Sequence, residues 1–259
     1  MSLVITKIEN DVGTIILNDP KHLNALSKEL ISDIIASLDK FEAKKVRAAV
    51  IRAIKGAKVW SSGHDVKELP TGKVDPLTYY DPLRKVVRAI QTTHYPVIAQ
   101  IEGSVWGGAC ELIMSCDMIY ASLDSTFAVT PAKLGIPYNL AGILNFMKNI
   151  SIPILKELIF TAKPTSAERA EMIGMITRAV ETEELDDMIN KRLDYIIHNA
   201  PLAISVMKEE MRVLSEASPL NPEAFERIQA GRRTVYNSED YKEGLKSFFE
   251  KRKPVFKGK

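Results

Sequence analysis

Two glycine-bearing segments constrain this chain more than anything else in it: Val59-Trp60-Ser61-Ser62-Gly63-His64-Asp65 and Glu102-Gly103-Ser104-Val105-Trp106-Gly107-Gly108-Ala109-Cys110-Glu111. Each adjoins an apolar run, so each is expected beside a buried strand, where glycine lets bare backbone approach a ligand closely. Two backbone N–H groups aimed at one point stabilise a carbonyl oxygen as it becomes negative. The pair therefore points to chemistry through an enolate or a tetrahedral oxyanion.

The rest of the chain supplies a frame for such loops. Val4, Thr6 and Ile8 alternate with other residues, and Thr14-Ile15-Ile16-Leu17 follows a turn at Asn10-Asp11-Val12-Gly13, which predicts a β-hairpin. Ser27 is an N-cap for a helix whose stripe is Leu30, Ile31, Ile34, Ile35, Leu38 and Phe41. Ala48–Ile51 is the next buried strand, with a loop bracketed by Gly56 and Gly63 after it. A helix over 79–93, a strand over 97–101, a helix from Gly107/Gly108 to Met114, and strands near 118–121 and 126–129 complete an alternating pattern. Strands alternating with helices predict an α/β core, with helices outside a mainly parallel sheet. Beyond about residue 150 the segments 152–160, 166–173, 183–199, 201–217, 222–236 and 238–252 read as helical, and only 176–180 as strand. The layout is thus an α/β core over residues 1–195 and a helical region over 196–259, packed together because no long Pro/Ser linker separates them.

Several function classes are disfavoured. A formal net charge of +2 gives no electrostatic case for nucleic acid, and the basic end from Lys251 to Lys259 reads first as a solvated face. The start MSLVITKIEN has neither the basic opening nor the apolar core of a signal peptide, and Asp117 soon interrupts the apolar run Leu112–Met114, so a cytoplasmic protein without membrane spans is expected. Cys110 and Cys116 are six apart, which on a helix turns the thiols by about 600°, and they read as buried and reduced. His22, His64, His94 and His198 show no paired metal-ligand spacing. The dinucleotide spacing G-x-G-x-x-G, the Walker loop and the G-x-S-x-G elbow are all missing.

The two loops, together with Leu23-Asn24-Ala25-Leu26, Gly107-Gly108-Ala109-Cys110-Glu111-Leu112, Ala121-Ser122 and Lys133-Leu134-Gly135-Ile136-Pro137, resemble the crotonase (enoyl-CoA hydratase/isomerase) superfamily over nearly the whole chain. That resemblance implies an α/β spiral of repeated ββα units, with C-terminal helices that build trimers pairing into hexamers. It also implies an acyl-coenzyme A thioester as substrate, with the enolate held by the amides of His64 and Gly108. Backbone near Ala25, Leu26, Ser62, His64 and Val66 would bind coenzyme A, with Lys21 or the basic tail at its phosphates.

Departures within the family choose the reaction. Hydratases of this fold use two glutamates; Glu111 matches the first, but Pro131 stands at the second, and a proline transfers no proton. Thr130-Pro131-Ala132-Lys133-Leu134-Gly135-Ile136-Pro137-Tyr138-Asn139-Leu140, and the later stretch from Glu226 to Tyr241, place the chain nearest the family's decarboxylating branch. The expected reaction is loss of CO2 from methylmalonyl-CoA to give propionyl-CoA, without metal, biotin or ATP. The resemblance sets Tyr138 beside the departing carboxylate, with Thr130 a weaker candidate in the same pocket and Glu111 a buried structural acid or helper. Two other readings stand beside it: a hydratase or isomerase working through Glu111 alone, and a relative that binds acyl-CoA or RNA without catalysis.

Overall fold

The computed structural model describes residues 2–68, 80–134, 138 and 140–216, and beyond them 223, 227, 230, 234, 238–240, 243, 250, 252 and 255–259. The expected helices over 222–236 and 238–252 fall mostly outside these residues, as do Gly135, Ile136, Pro137 and Asn139.

The chain opens on a hairpin of β1 (Val4–Glu9) and β2 (Val12–Leu17), in register from Val4 opposite Leu17 to Glu9 opposite Val12. Its turn is tighter than the four-residue segment expected. Asn10 and Asp11 alone make it, both at positive φ (+49° and +62°), a conformation that Asn and Asp tolerate better than most residues. Helix α1 (Lys28–Ala43) follows. The Ser27 hydroxyl caps it by accepting from the Leu30 amide at 3.1 Å, and Leu30, Ile31, Ile34, Leu38 and Phe41 face the core.

Three turns of one pattern come next. β3 (Ala48–Ala53) leads to β4 (Val59–Ser61) and α2 (Pro82–Thr92); β5 (Val97–Ile101) leads to β6 (Ser104–Trp106) and α3 (Gly108–Met114); β7 (Met118–Ser122) leads to β8 (Thr126–Ala128). Then come α4 (Leu140–Met147), α5 (Ile152–Thr161), β9 (Thr165–Ser166), α6 (Ala167–Met172), β10 (Arg178–Val180), α7 (Thr182–Ile197) and α8 (Pro201–Glu216). One sheet has the order β1-β2-β3-β5-β7-β10 and is parallel except for the hairpin; the other has the order β4-β6-β8-β9. Each turn thus contributes one strand to each sheet, followed by a helix in the first two, which is a ββα spiral. β4 and β6 lie where only loops were expected, because three residues are too few to display an alternation. α2 begins at Pro82 rather than near 79, with Asp81 as its N-cap. α7 runs through residues 195 and 196, the place where composition puts the boundary between core and helical region.

The main core joins α1, α2, α3 and the inner faces of both sheets around fully buried Trp60, Phe41 and Phe127. A smaller cluster, Ala48, Val50, Ile98, Tyr120, Leu185, Ile189 and Leu193, seats α7 on the outer face of the larger sheet. α8 is fastened differently. Buried Lys208 donates to the carbonyls of Ile90 (3.1 Å) and Tyr95 (3.0 Å), to the Thr93 hydroxyl (2.7 Å) and to Asp117 (2.8 Å). An ammonium taken out of water is tolerable only with such a full set of acceptors. Among the described residues no helix is long and apolar enough to cross a membrane.

Candidate active site

The site is assembled where the two glycine loops leave the smaller sheet. Asn24 and Ser61 lace the first loop to the segment before α1: Asn24 Nδ2 donates to the Trp60 carbonyl (2.9 Å) and Ser61 Oγ to the Asn24 carbonyl (2.7 Å). Backbone bonds continue the seam, from Ser62 N to Leu23 O (3.0 Å) and from Leu26 N to Gly63 O (2.8 Å), so that Leu26 and His64 form a parallel bridge. The coenzyme-binding candidates Ala25, Leu26, Ser62 and His64 therefore belong to one backbone ledge. Val66 lies two residues further on, in a short 3-10 turn, and its side chain is exposed. The second loop is hooked to the neighbouring strand by the bond from Gly107 N to Ala128 O (2.8 Å).

These attachments bring the two loops into contact. Gly63 has a φ of +90°, and a Cβ there would strike the Trp106 carbonyl oxygen and sit 3.0 Å from the Gly108 nitrogen. A Cβ on Gly108 would in turn lie 3.5 Å from the His64 nitrogen. Glycine at residue 63 is what lets the His64 and Gly108 amides approach one another, whereas a Cβ on Gly108 would press on Leu83 Cδ2 at 2.8 Å. Gly108 is the first residue of α3, whose opening N–H groups have no partner within the helix. Neither amide donates a hydrogen bond among the described residues. Two free donors side by side are the geometry of an oxyanion hole.

Side chains surround the two amides. The Thr130 hydroxyl lies against Gly107, 3.2 Å from where a Cβ would be. The His64 imidazole is held at both nitrogens, with Nε2 3.2 Å from Asp81 Oδ2 and Nδ1 3.3 Å from the Asp65 carbonyl. Both faces being acceptors, the ring favours its doubly protonated form: the bond to Asp81 raises its pKa, outweighing the opposing effect of burial. Asp81 also accepts from the Leu83 amide at 2.8 Å, so one carboxylate caps α2 and fixes the imidazole.

Glu111 stands in the first turn of α3, 1% exposed, with its Oε1 2.5 Å from Arg84 Nη1. Facing it is Tyr138, whose hydroxyl is buried and meets no hydrogen-bond partner of full geometry among the described residues. Burial, and after it the charge of Glu111, pushes the phenol pKa well above the ordinary value, so the group remains an O–H donor. Pro131 follows Thr130 directly and opens the 3-10 turn Pro131–Leu134. Ser62, His64, Gly108 and Glu111 lie on the two loops or their continuations, and Ala25, Leu26, Val66, Thr130 and Tyr138 on segments packed near them; Lys21 stands in the 3-10 turn Pro20–His22 ahead of Ala25, and the basic tail lies partly outside the described residues. Asp81 and Arg84 were not singled out. Asp81-Pro82 carries a local signal, a capping residue followed by proline at the first helical position. The Arg84–Glu111 pair spans 27 residues and has no local signal. Among the described residues no three His, Cys, Asp or Glu side chains gather into a metal-binding group.

Comparison with known proteins agrees with this arrangement. Residues 7–259 match the family described as enoyl-CoA hydratase/isomerase. The chain is 51% identical over 249 residues to methylmalonyl-CoA decarboxylase of Escherichia coli, covering 96% of this chain and 95% of that one. It is 30% identical to the short-chain-enoyl-CoA hydratase of Clostridium acetobutylicum, with the same coverages. Among solved structures, a methylmalonyl-CoA decarboxylase in complex with 2-nitronate-propionyl-CoA superposes with a TM-score of 0.82 at 50% identity, covering 99% of each chain. Fold, loop geometry and sequence agree: this chain belongs to the enoyl-CoA hydratase/isomerase family.

Proposed function

We propose that the protein is a carbon–carbon lyase that decarboxylates methylmalonyl-CoA to propionyl-CoA through a thioester enolate, with no cofactor beyond the coenzyme A of its substrate. The observation that carries this reading is the close approach of the His64 and Gly108 amides, with the buried Tyr138 hydroxyl near Glu111, one turn along α3 from Gly108. The likeness to methylmalonyl-CoA decarboxylase across nearly the whole chain supports the choice of substrate.

The chemistry needs little. The backbone ledge at Ala25, Leu26, Ser62 and Val66 holds the coenzyme, and the thioester carbonyl points between the two amides. The bond from C2 to the carboxylate breaks, its electron pair flows into the thioester, and CO2 leaves. The enolate oxygen takes the negative charge, where each fixed amide is worth about 10²–10³ in rate. A proton then adds at C2. Tyr138 donates to the departing carboxylate and holds the breaking bond across the thioester plane, while Thr130 and the His64 ring border the same pocket. No base is required, which fits Pro131 standing where a second acid would be.

Hydration through Glu111 is the weaker reading, because the carboxylate is buried and engaged by Arg84 rather than presented to a water. Exposed Met207, Met211 and Leu214 on α8 support self-association, as a trimer or dimer of trimers, and two free cysteines, Cys110 buried and Cys116 half-buried, support a cytoplasmic setting. A coupled assay across malonyl-, methylmalonyl-, ethylmalonyl- and crotonyl-CoA tests the function. Turnover is expected with methylmalonyl-CoA; turnover of crotonyl-CoA alone overturns the reading.

A further inference from the structure

Helix α4 carries a glycine in its first turn, Gly142, where alanine is the better helix former. Its φ is not positive, so backbone freedom does not explain it. Space does. A Cβ at Gly142 would strike Tyr138 Cε1, and would lie 2.7 Å from Tyr138 Cδ1 and 2.8 Å from Glu111 Oε2. One turn further along the same face, fully buried Phe146 meets the Tyr138 ring edge-on, with centroids 5.6 Å apart and planes at 83°.

We infer that Gly142 and Phe146 are positioning residues, forming a seat on α4 that holds the Tyr138 ring against Glu111 and so aims its hydroxyl at the substrate carboxylate. The inference rests on the role proposed for Tyr138. Gly142 supplies the absence of a side chain beside the Cδ1–Cε1 edge of the ring, and Phe146, one turn further along α4, supplies an edge-on aromatic contact. Glu111, engaged by Arg84, forms the floor. The seat explains how the Tyr138 ring is fixed beside Glu111. A methyl group at residue 142 would displace the ring before it touched anything else in the pocket except the Glu111 carboxylate.

The test is a double-mutant cycle on methylmalonyl-CoA turnover, with propionyl-CoA affinity and far-UV circular dichroism recorded in parallel. Gly142→Ala is expected to lower kcat at least 10-fold with coenzyme affinity within about twofold of wild type, the split of a lost hydroxyl aim rather than a damaged fold. In a Tyr138→Ala background, where no ring remains to displace, Gly142→Ala is expected to cost nothing further, and recovery of folding in that double variant, should Gly142→Ala alone unfold, equally supports the seat. Phe146→Leu keeps the apolar volume and is expected to lower kcat without weakening affinity. Wild-type kcat in Gly142→Ala, or losses that multiply in the double variant, overturn the inference. The two claims fail separately: full turnover in Tyr138→Phe removes the role of Tyr138 itself, whereas loss in Tyr138→Phe with none in Gly142→Ala removes only the seat.

Discussion

Removing one oxygen atom, in Tyr138→Phe, gives an unusually clean perturbation. The hydroxyl is buried and its neighbour is the Glu111 carboxylate, which keeps its ion pair with Arg84 when the hydroxyl is lost. The ring keeps its edge contact with Phe146. A buried hydrogen bond contributes only about 1 kcal/mol net, so the variant should be about as stable as wild type. Activity should fall. A hydrogen bond to a charged group is worth about 1.5–3 kcal/mol, which corresponds to a fall in kcat of about 10- to 150-fold. Because the amides of His64 and Gly108 are backbone and unaffected, affinity for propionyl-CoA should be unchanged. Stopped assays of CO2 release, calorimetric titration with propionyl-CoA and thermal melts measure the three quantities. Unchanged kcat, or a lower melting temperature accompanying the loss of activity, refutes the reasoning.

Other predictions follow from the same contacts. Gly63→Ala places a methyl group against the Trp106 carbonyl at a positive φ, separating the two amides; turnover should drop by about 10²-fold or more, checked by kcat on methylmalonyl-CoA. Lys208→Met removes the ammonium that pairs with Asp117 and leaves that carboxylate with only the Val97 amide, and should cost about 3–5 kcal/mol in a denaturant titration. The His64 pKa is raised by Asp81, so the pair's stabilisation is fully present below the ordinary histidine value of about 6.5 and is lost as pH rises through the raised one. Asp81→Asn, which keeps the α2 cap, should return the His64 titration toward its ordinary position in an NMR experiment and flatten that part of the stability profile.

What the sequence disclosed, and what it hid, follows from the range of each interaction. Ser27 and the α1 stripe are legible because capping and a 3.6-residue period act within a few residues. The glycine loops are legible as loops, yet their β4 and β6 strands are not, since three-residue strands owe their existence to partners in the second sheet. Glu111, His64 and Tyr138 stand out by type and by resemblance. Their supporting residues do not: Asp81 reaches back 17 residues to His64, and Arg84 reaches forward 27 to Glu111. Gly142 is visible only as a glycine in an apolar helix until the Tyr138 ring is seen beside it. Pairings of that range are made by the spiral, which stacks successive turns, and no local pattern encodes them.

The central claim is that CO2 is lost through an enolate held by two backbone amides, and isotopic labelling tests it most directly. Purified protein is given methylmalonyl-CoA carrying ¹³C in its free carboxylate, in D2O, and followed by NMR. The account predicts that the label appears entirely as CO2 and bicarbonate, with one deuteron incorporated at C2 of propionyl-CoA and no added metal, biotin or ATP needed. Label retained in the thioester, alongside hydration of crotonyl-CoA by the same preparation, would contradict it.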